Sequence, residues 1–274
     1  KKKDTSLLHH LIGSRSLVWN LAKNDIKKKF AGSYFGVVWA FVQPVITVLL
    51  YWFVFEKGLN SKATDLRTGI EIPFVLWLTA GLVPWFYFQE ALNGGTGVLV
   101  EYSYLVKKVV FQIDMLPVVK MISALFTHLF FVAFTIVLFI CMGYMPDWYA
   151  LQVVYYSFCM ILFATGLVYA TSAVTVFFRD MKEVVGILLQ IGMWVTPIMW
   201  NFETMVQIPG WAITVLKLNP MYYIVSGYRN ALINHIGFWE DMGLTVYFWV
   251  VTAVILFLGT TVFKRLRPHF ADVL

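Results

Sequence analysis

The chain has 274 residues, of which 60% are hydrophobic, 18% aromatic and 13% charged. That charged share is about half the soluble-protein norm, and a globule of this length has too little interior for so much apolar surface. The composition excludes disordered, collagen-like, coiled-coil and disulfide-scaffold classes and predicts an all-α integral membrane protein, whose net charge of +6 fits cationic loops at a membrane rather than nucleic acid.

The stretch to Phe30 stays mixed, with Arg15, Lys23, Asp25, Lys27, Lys28 and Lys29 interrupting any apolar core of a signal peptide. On a helix, Leu8, Ile12, Trp19, Ala22, Ile26 and Phe30 share one apolar face, and Asn20, Asn24, Lys27 and Lys28 occupy the other. This predicts a basic amphipathic helix in the plane of the headgroups. The sequence alone favours a membrane anchor, a role compatible with docking a cytoplasmic partner.

A hydrocarbon core of about 30 Å takes about 20 apolar helical residues. Six stretches meet this: 36–56, 73–92, 117–143, 150–178, 184–202 and 242–263. The segment 203–240 does not. Its first apolar piece, Trp211 to Leu218, is too short to cross, and its second, Met221 to Ile236, is broken by Arg229, Asn230, Asn234 and His235. Pro209-Gly210 and Asn219-Pro220 are turn signals. Two short helices are predicted, entering from one face and returning, with protein or a wet cavity around their backbone.

With the amino terminus inside, sixteen Lys and Arg fall on the inner side and five on the outer: Lys57, Lys62, Arg67, Lys217 and Arg229. Both termini are therefore expected in the cytoplasm and 203–240 outside. The plan is one transmembrane domain over 1–274: interface helix 1–32, six spans and the re-entrant segment within 33–263, and a cytoplasmic tail 264–274.

Catalytic chemistry is not expected. Asn93-Gly94-Gly95-Thr96-Gly97 lacks the Lys of a phosphate loop and is predicted to be a helix stop and turn. His9, His10, His128, His235 and His269 have no metal-ligand spacing, and Cys141 and Cys159 are expected to be small buried hydrophobes. Intramembrane ionisable groups are scarce: Glu90 and Lys120 sit near the inner ends of spans, and only His128 is deeper, placed to bond a neighbouring helix. This argues that energy for any transport arrives from outside this polypeptide. No internal repeat is visible, which weighs against the common secondary-transporter folds.

Two weakly polar stripes stand out. Gly36, Ala40, Gln43, Thr47 and Tyr51 share a face of span 1, and Gly186, Gln190, Trp194, Pro197 and Asn201 a face of span 5. Such stripes serve helix packing, or they line a conduit in which aromatic rings stack on sugars and amides bond hydroxyls. Two inner loops, Glu101 to Lys108 (with Tyr104 and Lys107) and Phe178 to Glu183 (with Arg179 and Asp180), are short enough to transmit force.

The ordered set Gly32-Ser33-Tyr34-Phe35-Gly36, Trp39, Pro44, Ala80 to Phe86, Leu105…Lys108…Phe111…Leu116-Pro117, Phe177-Phe178-Arg179-Asp180, Trp194 to Ile198, Asn219-Pro220 and Phe270 to Leu274 resembles the membrane subunit of type-2 ATP-binding-cassette exporters for cell-surface polysaccharides and polyol phosphates. The likeness covers almost the whole chain. Phe111-Gln112 departs from the Phe-Pro expected there, which affects only that loop. Tyr51 to Phe55 and Gly81 to Phe86 look closest to Gram-positive teichoic-acid exporters.

The resemblance implies a homodimer in the bacterial cytoplasmic membrane with two separate ATPase subunits, which would bind ATP and magnesium; no cofactor is expected in this chain. It implies export of a polyprenyl-diphosphate-linked polymer: teichoic acid, O-antigen or capsule. By position, Trp19, Lys23, Lys27, Glu101, Tyr104, Lys107, Arg179 and Asp180 would meet the ATPases. Gln43, Thr47, Tyr51, Gln190, Trp194 and Asn201 would face the channel, and Trp211, Asn219, Pro220, Tyr223 and Arg229 would form an outer gate. A drug, antibiotic or lipid exporter of the same superfamily is the first alternative, a proton-coupled carrier the second and a lipid-linked-sugar enzyme the third.

Overall fold

A computed structural model of the chain describes residues 15–29, 31–106, 113–200 and 209–274. Leu8, Ile12, Lys107, Phe111, Gln112 and Asn201 lie outside the described residues. Among the described residues the architecture is helical apart from one small hairpin. Helix α1 (Arg15–Lys29) precedes the first long apolar rod, a 3-10 turn Gly36–Val38 running into α2 (Trp39–Trp52) and a π turn Phe53–Gly58. Strands β1 (Ala63–Thr64) and β2 (Glu71–Ile72) pair antiparallel, a hairpin too short to show in the hydrophobic pattern. Then come α3 (Phe74–Thr96), the short α4 (Val98–Glu101) and α5 (Ser103–Val106), α6 (Met115–Cys141), α7 (Gln152–Phe177) and α8 (Met181–Val195). The chain ends with α9 (Gly210–Lys217), α10 (Pro220–Arg229), α11 (Met242–Leu266) and α12 (Phe270–Val273).

Among the described residues, four helical stretches are long and apolar enough to cross a membrane: Gly36–Gly58, Met115–Cys141, Trp148–Phe177 and Met242–Val273. Two of the six expected spans fall short for physical reasons. Helix α3 has the length, 23 residues or about 35 Å, but Pro84, Gln89, Glu90 and its Trp and Tyr residues dilute its apolar character. Helix α8 has 15 residues, about 22 Å, because Thr196 turns extended ahead of Pro197.

Two further expectations are corrected, on Cys141 and on α1. The Asn93–Gly97 cluster does end the helix, but at its last residues: α3 runs through Gly94 and Gly95 to Thr96 and is capped at Gly97. Gly95 lets α7 approach, since a Cβ there would run into Val168. Cys159 is buried as expected, but Cys141 closes α6 and is exposed. The buried stripe of α1 is Val18, Ala22 and Asp25, which seats on Met115 and Val119 of α6. Trp19 lies beside it, half exposed and 5.2 Å from the Phe126 ring.

Helix α3 is the centre of the bundle, with α6, α7 and α10 packed around it. Helices α7 and α11 cross at Gly166 and Gly259, where backbone meets backbone and no Cβ fits. A second apolar cluster joins Leu99, Tyr102, Leu116, Tyr169, Phe263 and Phe270, bringing α4, the end of α7 and the chain terminus to one end.

Candidate functional site

A cleft of about 770 Å³ lies between α2, α3 and α6 and runs toward α1. One wall is the predicted stripe of α2: Ala40, Gln43, Thr47 and Tyr51, set one turn apart by the helical period. Thr47 returns its hydroxyl to the Gln43 carbonyl at 3.0 Å. The facing walls supply Gln89, Glu90 and Asn93 from α3 and Ser123 and Thr127 from α6. This is a polar trough among apolar helices.

A charged lattice closes the α1 end. Asp25 is buried, and its Oδ1 accepts from Lys120 Nζ at 2.6 Å and from the Tyr102 hydroxyl at 2.9 Å. Lys120 also reaches Glu101 at 2.8 Å, and Lys29 pairs with Glu90 at 2.7 Å. The Lys28 ammonium sits 5.1 Å from the Tyr102 ring and 5.8 Å from that of Tyr104. Burial, with the Asp25 carboxylate against it, pushes the Tyr102 hydroxyl pKa above its ordinary value, so the proton stays on the phenol. Sequence reasoning assigned Asp25 no role. Its signal was the spacing Val18, Ala22, Asp25, a buried helical face that ends in a carboxylate.

The other predicted interface residues come to this same end. Trp19, Lys23, Lys27, Glu101 and Tyr104 are exposed there, and so are Arg179 and Asp180 in the turn between α7 and α8. Close approach of Gly97 to Lys182 ties that turn to the start of α4.

The span 5 stripe divides. Gln190 and Trp194 are exposed, Trp194 at 58%, while Pro197 is buried. The gate residues divide as well. Trp211 is exposed on α9. Asn219 caps α10 by accepting from Met221 N at 3.0 Å and donates to Thr196 Oγ1 at 2.8 Å, with Pro220 at the first helical position. Tyr223 is buried, its hydroxyl 3.0 Å from that of Tyr155 and 3.1 Å from Thr245 Oγ1.

Arg229 is buried too. It donates to the carbonyls of Pro197 at 2.7 Å, Ile198 at 2.6 Å and Trp77 at 3.3 Å, with its guanidinium 3.3 Å above the Trp77 ring. Gly81 leaves room for it, since a Cβ there would lie 2.7 Å from Nη2. His128 bonds neighbouring helices, as its position suggested: Nε2 lies 3.2 Å from Ser157 Oγ and 3.1 Å from the Tyr228 hydroxyl.

Residues 16–233 match the family model described as "ABC-2 type transporter". The chain is similar to the O-antigen export system permease protein RfbA of Myxococcus xanthus, 25% identical over 97% of this chain and 98% of that protein. An O-antigen export system permease protein RfbA of Klebsiella pneumoniae is 21% identical over 93% of each. A match that takes in α1, the cleft and the α9–α10 pair leaves one assignment: the chain is a member of the ABC-2 type transporter family.

Proposed function

We propose that the chain is the membrane subunit of an ATP-driven exporter that moves a lipid-linked cell-surface glycopolymer across the bacterial cytoplasmic membrane. The observation that carries this is similarity along nearly the whole chain to permeases named for O-antigen export. The cleft is compatible with such a cargo: Gln43, Thr47, Gln89 and Asn93 offer amides and hydroxyls, and Tyr51 an aromatic face.

In this reading α3, buried among its neighbours, and α8, covered by a second copy, join the four longer helices as a fifth and sixth crossing. Helices α9 and α10 re-enter from the outside and gate the exit. Both termini are cytoplasmic, and two copies assemble through the exposed apolar faces of α2 and α8. Two ATPase subunits, which carry ATP and magnesium, dock on α1, the Glu101 to Lys108 loop and the Arg179-Asp180 turn. This chain contributes no catalysis. Its part is to convert movement at that end into opening of a path beside Gln43, Thr47 and Tyr51.

O-antigen-type polysaccharide is the first cargo to test, linked to a polyprenyl diphosphate. Teichoic acid is the second reading and rests on Tyr51 to Phe55 and Gly81 to Phe86. Those stretches also have packing work, with Phe55 stacked 6.1 Å from Phe74 and Gly81 against Arg229. Depletion of the chain, followed by identification of the lipid-linked polymer that accumulates inside, tests the reading. Accumulated polysaccharide supports it, and accumulated teichoic acid selects the second cargo. Unchanged surface polymer with altered drug efflux would select the drug-exporter alternative. Co-purification with an ATPase is expected, and its absence from intact native membranes would favour an ion-coupled carrier.

A further inference from the structure

A second cavity, of about 300 Å³, lies at the end of the bundle remote from α1, between the first turns of α3, the residues after α8 and the stretch from α10 to the start of α11. Its wall includes Trp200, Ser226, Asn230, Glu240 and Asp241 beside the buried Arg229. The volume is at the small end of ligand sites, which run from roughly 300 to 1,000 Å³. It suits a group of one ring rather than an acyl chain or a drug-sized molecule.

The wall is chemically mixed, with Glu240 and Asp241 exposed and Asn230 partly buried. Glu240 Oε1 accepts from Gly237 N at 2.8 Å, Asp241 Oδ1 caps α11 through Leu244 N at 3.0 Å, and Asn230 Oδ1 accepts from Asn234 Nδ2 at 2.8 Å. Each bond fixes its side chain through one polar atom. The second oxygen of each carboxylate and the Asn230 amide N–H groups make no hydrogen bond among the described residues. Trp200 is held by its indole N–H, which donates to the Trp194 carbonyl at 2.9 Å, and the ring stays partly exposed.

We propose that this cavity is a binding site for a single sugar ring of the exported glycan. A pyranose presents vicinal hydroxyls, which donate to carboxylate oxygens and accept from an amide, and a C–H face, which packs on an indole. Two carboxylates disfavour an anion, and the polar wall disfavours a hydrocarbon. The inference rests on the glycan reading given above, and it adds a site inside one protomer, apart from the cleft along α2.

The test uses the full chain in lipid nanodiscs, with the methyl glycosides of glucose, galactose, mannose, rhamnose and N-acetylglucosamine as probes, read by saturation-transfer NMR. At least one glycoside is expected to give a saturable signal. Glu240→Gln and Asp241→Asn keep the acceptor that each structural bond needs, and each is expected to weaken that signal. Trp200→Ala is expected to weaken it about tenfold, or 1.4 kcal/mol, with the thermal midpoint of all three unchanged. A wild-type chain that gives no saturable signal, or signals equal in all variants, would overturn the proposal. Polymer accumulation on depletion of the chain is read separately. Accumulation without glycoside binding sinks the sugar site alone, and loss of accumulation sinks the export reading.

Discussion

The rod Gly36–Gly58, built on α2, has the 23-residue length of α3 but opposite surroundings. In α3, 17 of 23 residues are buried, on every side of the helix, whereas in α2 only Val48 is. Yet α2 is the more apolar of the two by composition, and it alone passes as a free-standing span. In a bilayer, greasiness reports contact with lipid or with another subunit, while contact within the protomer tolerates Pro84, Gln89, Glu90 and glycine. The buried helix is the pillar, and the exposed helix is a wall that meets something outside the protomer.

The largest expected effect breaks the pillar. Arg229→Met would leave the Pro197 and Ile198 carbonyls unpaired, each costing about 1–3 kcal/mol, and would strip the cation from Trp77. A loss of about 2–5 kcal/mol is expected, read as a lower thermal midpoint in detergent. An unchanged midpoint would mean that the guanidinium bonds are incidental.

Next in size is the seat of α1. Asp25→Ala removes the charged acceptor of Tyr102 and half of the Lys120 lattice, while Lys120 keeps Glu101. A local cost of about 1.5–3 kcal/mol follows from hydrogen bonds to a charged group. Trypsin should then cut faster after Lys23, Lys27 or Lys28, with little change in the midpoint of the bundle. Equal cleavage rates in the variant and the wild type would show that the apolar contacts of Val18 and Ala22 suffice.

These two sites also measure what the sequence disclosed. The period-four stripe of α2 was legible because its residues are neighbours on one helix, and Gln43, Thr47 and Tyr51 do share the cleft. Arg229 was not. Its position on α10 suggested an outer cation, but its partners Trp77, Pro197 and Ile198 lie 152, 32 and 31 residues away, and no local pattern records such a meeting. Tyr223 was obscured in the same way by Tyr155 and Thr245. The length of α8 was not read either: the expected span 184–202 ran through Thr196-Pro197, where a residue ahead of proline turns extended and ends the helix.

On the wall, Leu49→Ala and Leu50→Ala should change protomer stability by less than about 0.5 kcal/mol, as exposed substitutions do. Their side chains touch little within the protomer, being 53% and 58% exposed. If α2 is a contact between two copies, the same changes should lower the dimer fraction in cross-linking. A large stability loss in a monomeric preparation would contradict the wall.

The smallest effect concerns the loop that joins wall to pillar. Asp65 begins the turn between β1 and β2, where Oδ2 accepts from Thr68 Oγ1 at 2.7 Å and Oδ1 from Arg67 N at 2.8 Å. Burial pushes its pKa up, but these bonds and the second one from Thr68 N outweigh it, holding the carboxyl below its ordinary value of 3.8. A lowered folded pKa means the ionised form is the one the fold prefers. The turn is therefore fully stabilised at neutral pH, and the stabilisation is lost as pH falls below 3.8 and through the folded value. Hydrogen-exchange protection of the Arg67 and Thr68 amides should decline over that range while the amides of α3 stay protected. Asp65→Asn keeps an acceptor for Arg67 N but cannot titrate, so its protection should be lower at neutral pH and independent of acid. If the variant loses protection in acid as steeply as the wild type, another group controls the hairpin. In that case the link between α2 and α3 is held from the far side, where Leu66 N donates to Asn234 Oδ1 at 3.1 Å and Arg67 bonds the His235 carbonyl.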